Sequence, residues 1–134
     1  MNGDMYSLFR RRDAGRLSVF MERNSETGKL KVQASLAGGT IPVEGVKIVI
    51  YKDFEDGRWV FFDGQTDSSG IVDNITLPAP PYKEPTIENV AGPHATYTMR
   101  AEKSGFTPMV RPVNIYSGLR TLQPVDFITQ EGGR

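Results

Sequence analysis

At 134 residues the chain is the size of one domain, and a fold of that size buries roughly two-thirds of its unfolded surface, enough for a core without staples. Sixteen basic residues balance sixteen acidic ones, which excludes the basic surplus of a general nucleic-acid or anionic-membrane binder. The lack of cysteine removes disulfides, thiolate metal sites and a cysteine nucleophile, and no apolar run is long enough to insert across a bilayer.

The first fourteen residues place Met5, Leu8 and Phe9 at helical spacing and end near Arg10, Arg11 and Arg12, with no signal-type apolar region after them. A helix this short is marginal unless it docks, so the segment reads as a loosely held or partner-binding arm. From Arg16 the pattern has period two: Leu17, Val19 and Met21 alternate with Ser18, Phe20 and Glu22. Turn residues Asn24 to Gly28 follow, and then Leu30, Val32, Ala34 and Leu36 alternate with Lys31, Gln33 and Ser35. Two alternating runs around a glycine-ended loop predict a hairpin.

Residues 40–53 organise the rest. Pro42 and Gly45 bend the chain, and a β-branched run follows in which Val46, Ile48 and Ile50 share one face of a strand and Lys47, Val49 and Tyr51 the other. Asp56-Gly57 is a hairpin signal. The return run sets Trp59, Phe61 and Asp63 against Val60, Phe62 and Gly64, with aromatics on both faces, so alternation does not choose the buried one. Asp67 to Gly70 reads as a tight turn capped by the Asp67 side chain, because a calcium loop needs further oxygen ligands at alternating positions. A strand from Ile71 to Leu77 is ended by Pro78, Pro80 and Pro81. Residues 78–94 form the longest irregular stretch and close on His94, the one histidine.

Ala95, Tyr97, Met99 and Ala101 then alternate with Thr96, Thr98, Arg100 and Glu102, the pattern of a half-buried strand. Residues 106–116 carry Pro108 and Pro112, which suits an edge strand. After Ser117-Gly118 the last run, residues 119–129, offers Leu122 and Phe127 to the core. About seven to eight short strands with turn signals near every ten residues predict an all-β fold, an antiparallel β-sandwich. Residues 1–28 are assigned to an N-terminal arm with an extra strand or short helix, 29–129 to the sandwich, and 130–134 to a disordered tail.

Three segments together resemble a known module: I-P-V-E-G-V-K-I-V-I at 41–50, T-D-S-S-G-I-V-D-N-I-T-L-P-A-P-P at 66–81, and P-H-A-T-Y-T-M-R-A-E-K-S-G-F-T-P at 93–108, continued by V-N-I-Y-S-G-L-R-T-L-Q-P-V at 113–125. Their order and spacing are similar to the transthyretin-like, carboxypeptidase-regulatory-like β-sandwich. More narrowly, they resemble the non-catalytic β-domain of spore-cortex-lytic and peptidoglycan-binding proteins of spore-forming bacteria. The resemblance implies an accessory or protein-interaction role without an enzyme's activity, in a spore or cell-envelope setting. No lytic domain or peptidoglycan-binding repeat accompanies it in this sequence.

The residues agree with a binding module. A Ser-His-Asp hydrolase needs an imidazole held between nucleophile and carboxylate, and His94 stands in no such motif. One histidine without cysteine makes a poor zinc site, so no catalytic residue, metal or cofactor is assigned. An internal isopeptide bond, which the resemblance makes worth naming, would draw on Lys31, Glu102 and Asp126, but alternation puts Lys31 and Glu102 on polar faces. For binding, Trp59 beside the Asp56-Gly57 turn and Tyr82 in the proline loop are the aromatics best placed for exposure, with His94 and Tyr116 completing the candidate set. The expected partner is a protein or a cell-wall glycan. Assembly of copies through the arm and an edge such as residues 106–116 is the structural alternative.

Overall fold

The β-branched run does what its period requires: Val46, Ile48 and Ile50 have no solvent exposure, while Lys47 is exposed and Val49 half-buried. A computed structural model describes residues 15–88, 90 and 92–127. The elements in chain order are α1 (Leu17–Arg23), β1 (Glu26–Leu36), a 3-10 turn (Ala37–Gly39), β2 (Ile41–Pro42), β3 (Lys47–Phe54) and β4 (Gly57–Gln65). They are followed by β5 (Ile71–Ala79), β6 (Ala95–Glu102), β7 (Met109–Ile115) and β8 (Arg120–Asp126).

The strands form two four-stranded sheets. In the first, β1 lies between β5, antiparallel, and β8, parallel, with β2 pairing at Ser35 and Leu36. The second has the order β4-β3-β6-β7 and is antiparallel throughout. Leu30, Val32 and Ala34 of β1 and Ile75 and Leu77 of β5 meet Ile48, Ile50, Tyr97, Met99 and Ile115 of the second sheet in one core. This is the all-β sandwich that the alternation predicted. The β1–β8 pair is its one parallel ladder among the described residues.

Residues 17–23 correct the hairpin expectation, because they form a helix. Alternation grouped Leu17, Val19 and Met21, but Val19 and Met21 are exposed and Phe20 from the other set is buried. The Phe20 ring meets Phe54, Phe61 and Tyr97 edge-on at centroid distances of 5.2, 5.9 and 5.9 Å. An amphipathic turn needs one large anchor, and burying a phenylalanine supplies roughly 2–3 kcal/mol toward it. Asn24 closes the helix, its side-chain amide donating to the Phe20 carbonyl at 2.7 Å. Gly28, read as the end of a loop, lies inside β1, where a Cβ would collide with the Tyr116 carbonyl oxygen.

Register explains two further differences. Leu122, expected in the core, is 58% exposed. It stands beside the outward-facing Lys31, whereas Val125 stands beside the buried Ala34 and goes inward, followed by Phe127. On β4 the ladder slips between Ile50 and Tyr51, so Phe62 pairs with Ile50 and Val60 with Tyr51, leaving Phe61 as the extra residue. The bulge turns both Phe61 and Phe62 toward the core, which is why alternation could not choose between the faces. Strand β5 runs through Pro78 to Ala79, beyond the expected stop at Leu77, because it is an edge strand on which a missing N–H costs little. The first fourteen residues and the tail lie outside the described residues.

Candidate functional site

The two ends of the sandwich are built differently. At one end, the 42–46 bend and the 66–71 turn are tied together by Thr66. Its hydroxyl donates to the Val43 carbonyl at 2.8 Å and accepts from the Val46 N–H at 2.9 Å, and the side chain is buried. The Asp67 carboxylate accepts from the Ser69 and Ile71 N–H groups at 2.9 and 3.0 Å, the predicted turn cap. Gly70, at φ 76°, packs so closely on Ala34 that a Cβ would strike its carbonyl oxygen. An open depression of about 460 Å³ beside this end is lined by Lys47, Glu102, Lys103, Ser104, Gly105, Phe106 and Pro108.

The opposite end carries α1 and the long connection from β5 to β6. Here the Tyr97 hydroxyl donates to the Pro78 carbonyl, linking the two sheets. Burial pushes the Tyr97 phenol well above the usual tyrosine range. Beyond Pro78 the loop turns its apolar side chains outward: Tyr82 is 66% exposed, Ile87 94% and Val90 77%. Ile87 and Val90 were missed by sequence reasoning. The signal for them is the presence of two large aliphatics in a proline-rich stretch with no period to bury them.

The four aromatic and imidazole candidates all fall toward this end, but only two of them meet. His94 and Tyr116 pack with ring centroids 5.1 Å apart, and His94 Nδ1 lies 3.1 Å from the Gly92 carbonyl. Trp59, 51% exposed, is on the edge strand β4 opposite Lys52, whereas Tyr116 follows the other edge strand, β7. Three strand spacings of the sheet, about 14 Å, separate those edges. Near Trp59, Arg58 grips the Asp53 carboxylate through two bonds of 2.6 and 3.2 Å and covers the Tyr51 ring at 4.0 Å. That hydrogen bond holds the Asp53 carboxyl below the usual carboxylate range, with slight burial opposing it.

Reactive chemistry finds little support in this geometry. The His94 ring is oriented by a backbone carbonyl and a tyrosine. Among the described residues no three His, Asp or Glu side chains are grouped to hold a metal, and no helix is long and apolar enough to cross a membrane. The isopeptide trio is dispersed. Lys31 lies opposite Leu122 and Asp126 opposite Ser35, four residues or about 13 Å along the ladder, and Glu102 pairs with Arg100 at 3.0 Å in the other sheet.

Two solved structures share this sandwich. The Bacillus anthracis TIE protein superposes with a TM-score of 0.52 over 78% of this chain and 17% of its own, at 14% identity. GBS52, the minor pilin of Streptococcus agalactiae, does so with a TM-score of 0.50 over 78% of this chain and 45% of its own, at 17% identity. A transthyretin from Sparus aurata is similar at a TM-score of 0.44, 15% identity, 75% of this chain and 93% of its own. The chain thus spans under half the length of the first two proteins, and at these identities the likeness is one of fold. No family model and no curated protein sequence matches.

Proposed function

We propose that the chain is a non-enzymatic interaction module that binds a protein partner through the β5–β6 loop and the aromatic side chains at its end of the sandwich. The observation that carries this reading is the outward display of Tyr82, Ile87 and Val90 on one connection, with Ile87 and Val90 the most exposed large apolar side chains among the described residues. Large apolar side chains held in water by a loop are a cost to the monomer and an asset to a complex. A sandwich fold hosts many chemistries, so the reading rests on the loop and not on the likeness.

We place the module in a bacterial spore or cell envelope. The supports are the motif resemblance and the occurrence of the same sandwich in a minor pilin of a Gram-positive pathogen. The exposed rings of Trp59 and Tyr82 favour a second reading, stacking on a cell-wall glycan. One comparison separates the two. The wild-type chain and a Tyr82→Ser, Ile87→Ser, Val90→Ser variant are offered to envelope proteins and, separately, to purified cell wall. Capture of a defined protein by wild type and not by the variant is expected. Retention by cell wall, with Trp59 fluorescence responding to glycan fragments, selects the second reading. Turnover that disappears in His94→Ala overturns both.

A further inference from the structure

A sandwich of two sheets has open edges, and among the described residues three of the four carry a guard. Strand β5 carries Pro78 and a left-handed Asn74 at φ 58°, β7 carries Pro112 beside Arg111, and β8 carries Arg120 and Pro124. Proline withholds a donor and a left-handed residue breaks the line of the strand, so each device blocks pairing with another chain. Strand β4 has no proline; its one positive-φ residue, Gly57 at 119°, stands at its first position, and its one irregularity is the bulge at Phe61. Its sequence, G-R-W-V-F-F-D-G-Q, is rich in aromatics and β-formers, and among the described residues it pairs only with β3. Gly57, Arg58, Trp59, Val60, Asp63 and Gln65 are exposed along it.

We propose that β4 is a self-association edge, on which two copies of this chain pair antiparallel about a two-fold axis and continue the second sheet. The sequence of the strand is self-complementary. With the axis between Val60 and Phe61, Arg58 of one copy faces Asp63 of the other and Trp59 faces Phe62, while the bulged centre, Val60 outward and Phe61 inward, makes no facing pair. The bulge makes this register sound. Arg58 pairs with Asp53 and Asp63 with Val49, so both charged side chains lie on the outer face, although their numbers differ in parity. Trp59 pairs with Lys52 and Phe62 with Ile50, which sets those two rings on the other face together. Arg58 already holds Asp53, and Asp63 has no ion-pair partner among the described residues. A facing copy brings it one, twice over by symmetry. Opposite charges and aromatic pairs directly across an antiparallel ladder are the units that stabilise such a sheet.

Sedimentation velocity on the full chain over a wide concentration range tests this. The wild type is expected to shift from monomer to dimer, with a blue shift in Trp59 emission as the ring is covered. Arg58→Glu makes the row entirely acidic and Asp63→Arg makes it entirely basic. Each variant alone is expected to lose about tenfold or more in dimer affinity, and an equimolar mixture is expected to regain it as a heterodimer. Asp63→Arg changes an exposed residue opposite Val49 and should barely move the melting temperature, whereas Arg58→Glu also gives up the exposed pair with Asp53 and should lower it modestly; both variants leave Tyr82, Ile87 and Val90 untouched. A wild type that stays monomeric throughout, a dimer indifferent to both variants, or a mixture no tighter than its components overturns the proposal, whatever becomes of the loop reading.

Discussion

The two ends of this sandwich show how one scaffold divides stability from recognition. At the Thr66 end, the 42–46 bend and the 66–71 turn are locked to each other and to β1. A threonine fills two backbone hydrogen-bonding roles at once, Asp67 caps its own turn, and Gly70 presses against β1. At the Pro78 end, Phe20 plugs the core and Tyr97 ties the sheets, but the loop above them leaves Tyr82, Ile87 and Val90 in water. Polar groups that must be satisfied build the first end, and apolar groups left unsatisfied mark the second.

Substitutions should separate the ends sharply. Gly70→Ala combines a left-handed backbone with a collision against Ala34, and is expected to cost about 3–5 kcal/mol or prevent folding, read by chemical denaturation. Phe20→Ala removes the anchor of α1 from an aromatic cluster and should cost about 3–4 kcal/mol, with loss of the small helical contribution to the circular dichroism. Thr66→Val keeps the shape but strands the Val46 N–H and the Val43 carbonyl. About 2–4 kcal/mol is expected, with Thr66→Ser recovering most of it.

Tyr97→Phe should cost about 1 kcal/mol at neutral pH through the lost bond to Pro78. It carries a pH signature as well. Because the folded state raises the phenol's pKa, the neutral ring's contribution is whole below about pH 10 and fades as pH rises beyond it. Denaturation midpoints of wild type should therefore fall more steeply above that pH than those of Tyr97→Phe. The smallest effect belongs to the loop. The triple change Tyr82→Ser, Ile87→Ser, Val90→Ser should leave stability within about 0.5 kcal/mol while abolishing partner capture. A large destabilisation would mean that the loop is structural, and the contrast between the ends would fall.

Much of the fold was legible because a half-buried strand writes its burial into alternate residues. The period along 46–50 and 95–101 grouped Val46, Ile48 and Ile50, and Ala95, Tyr97, Met99 and Ala101, on the faces that are buried, although it did not reach Phe54 at the end of β3, and the turn chemistry of Asp56-Gly57 and Asp67–Gly70 located the reversals between strands. Alternation failed where something non-local intervened. Phe20 was assigned to the wrong face because seven residues fit a helix and a strand almost equally well, and only the pocket between Phe54, Phe61 and Tyr97 decides. The candidate site was legible in part. The loop that carries it was marked by prolines, and Trp59 and Tyr82 are exposed as expected, whereas the exposure of Ile87 and Val90 has no signature in any periodicity.

The amino-acid sequence alone determined which segments extend, where they turn and which face of most strands is apolar, because these follow from backbone geometry within a few residues of chain. The tertiary structure alone decided that β8 runs parallel to β1 and turns Leu122 outward, that a bulge sends Phe61 and Phe62 to the same side, and that β4 lies at an edge of its sheet, paired only with β3 among the described residues. Those outcomes depend on which strand lies beside which and in what register, and that is settled only when distant segments compete for the same core.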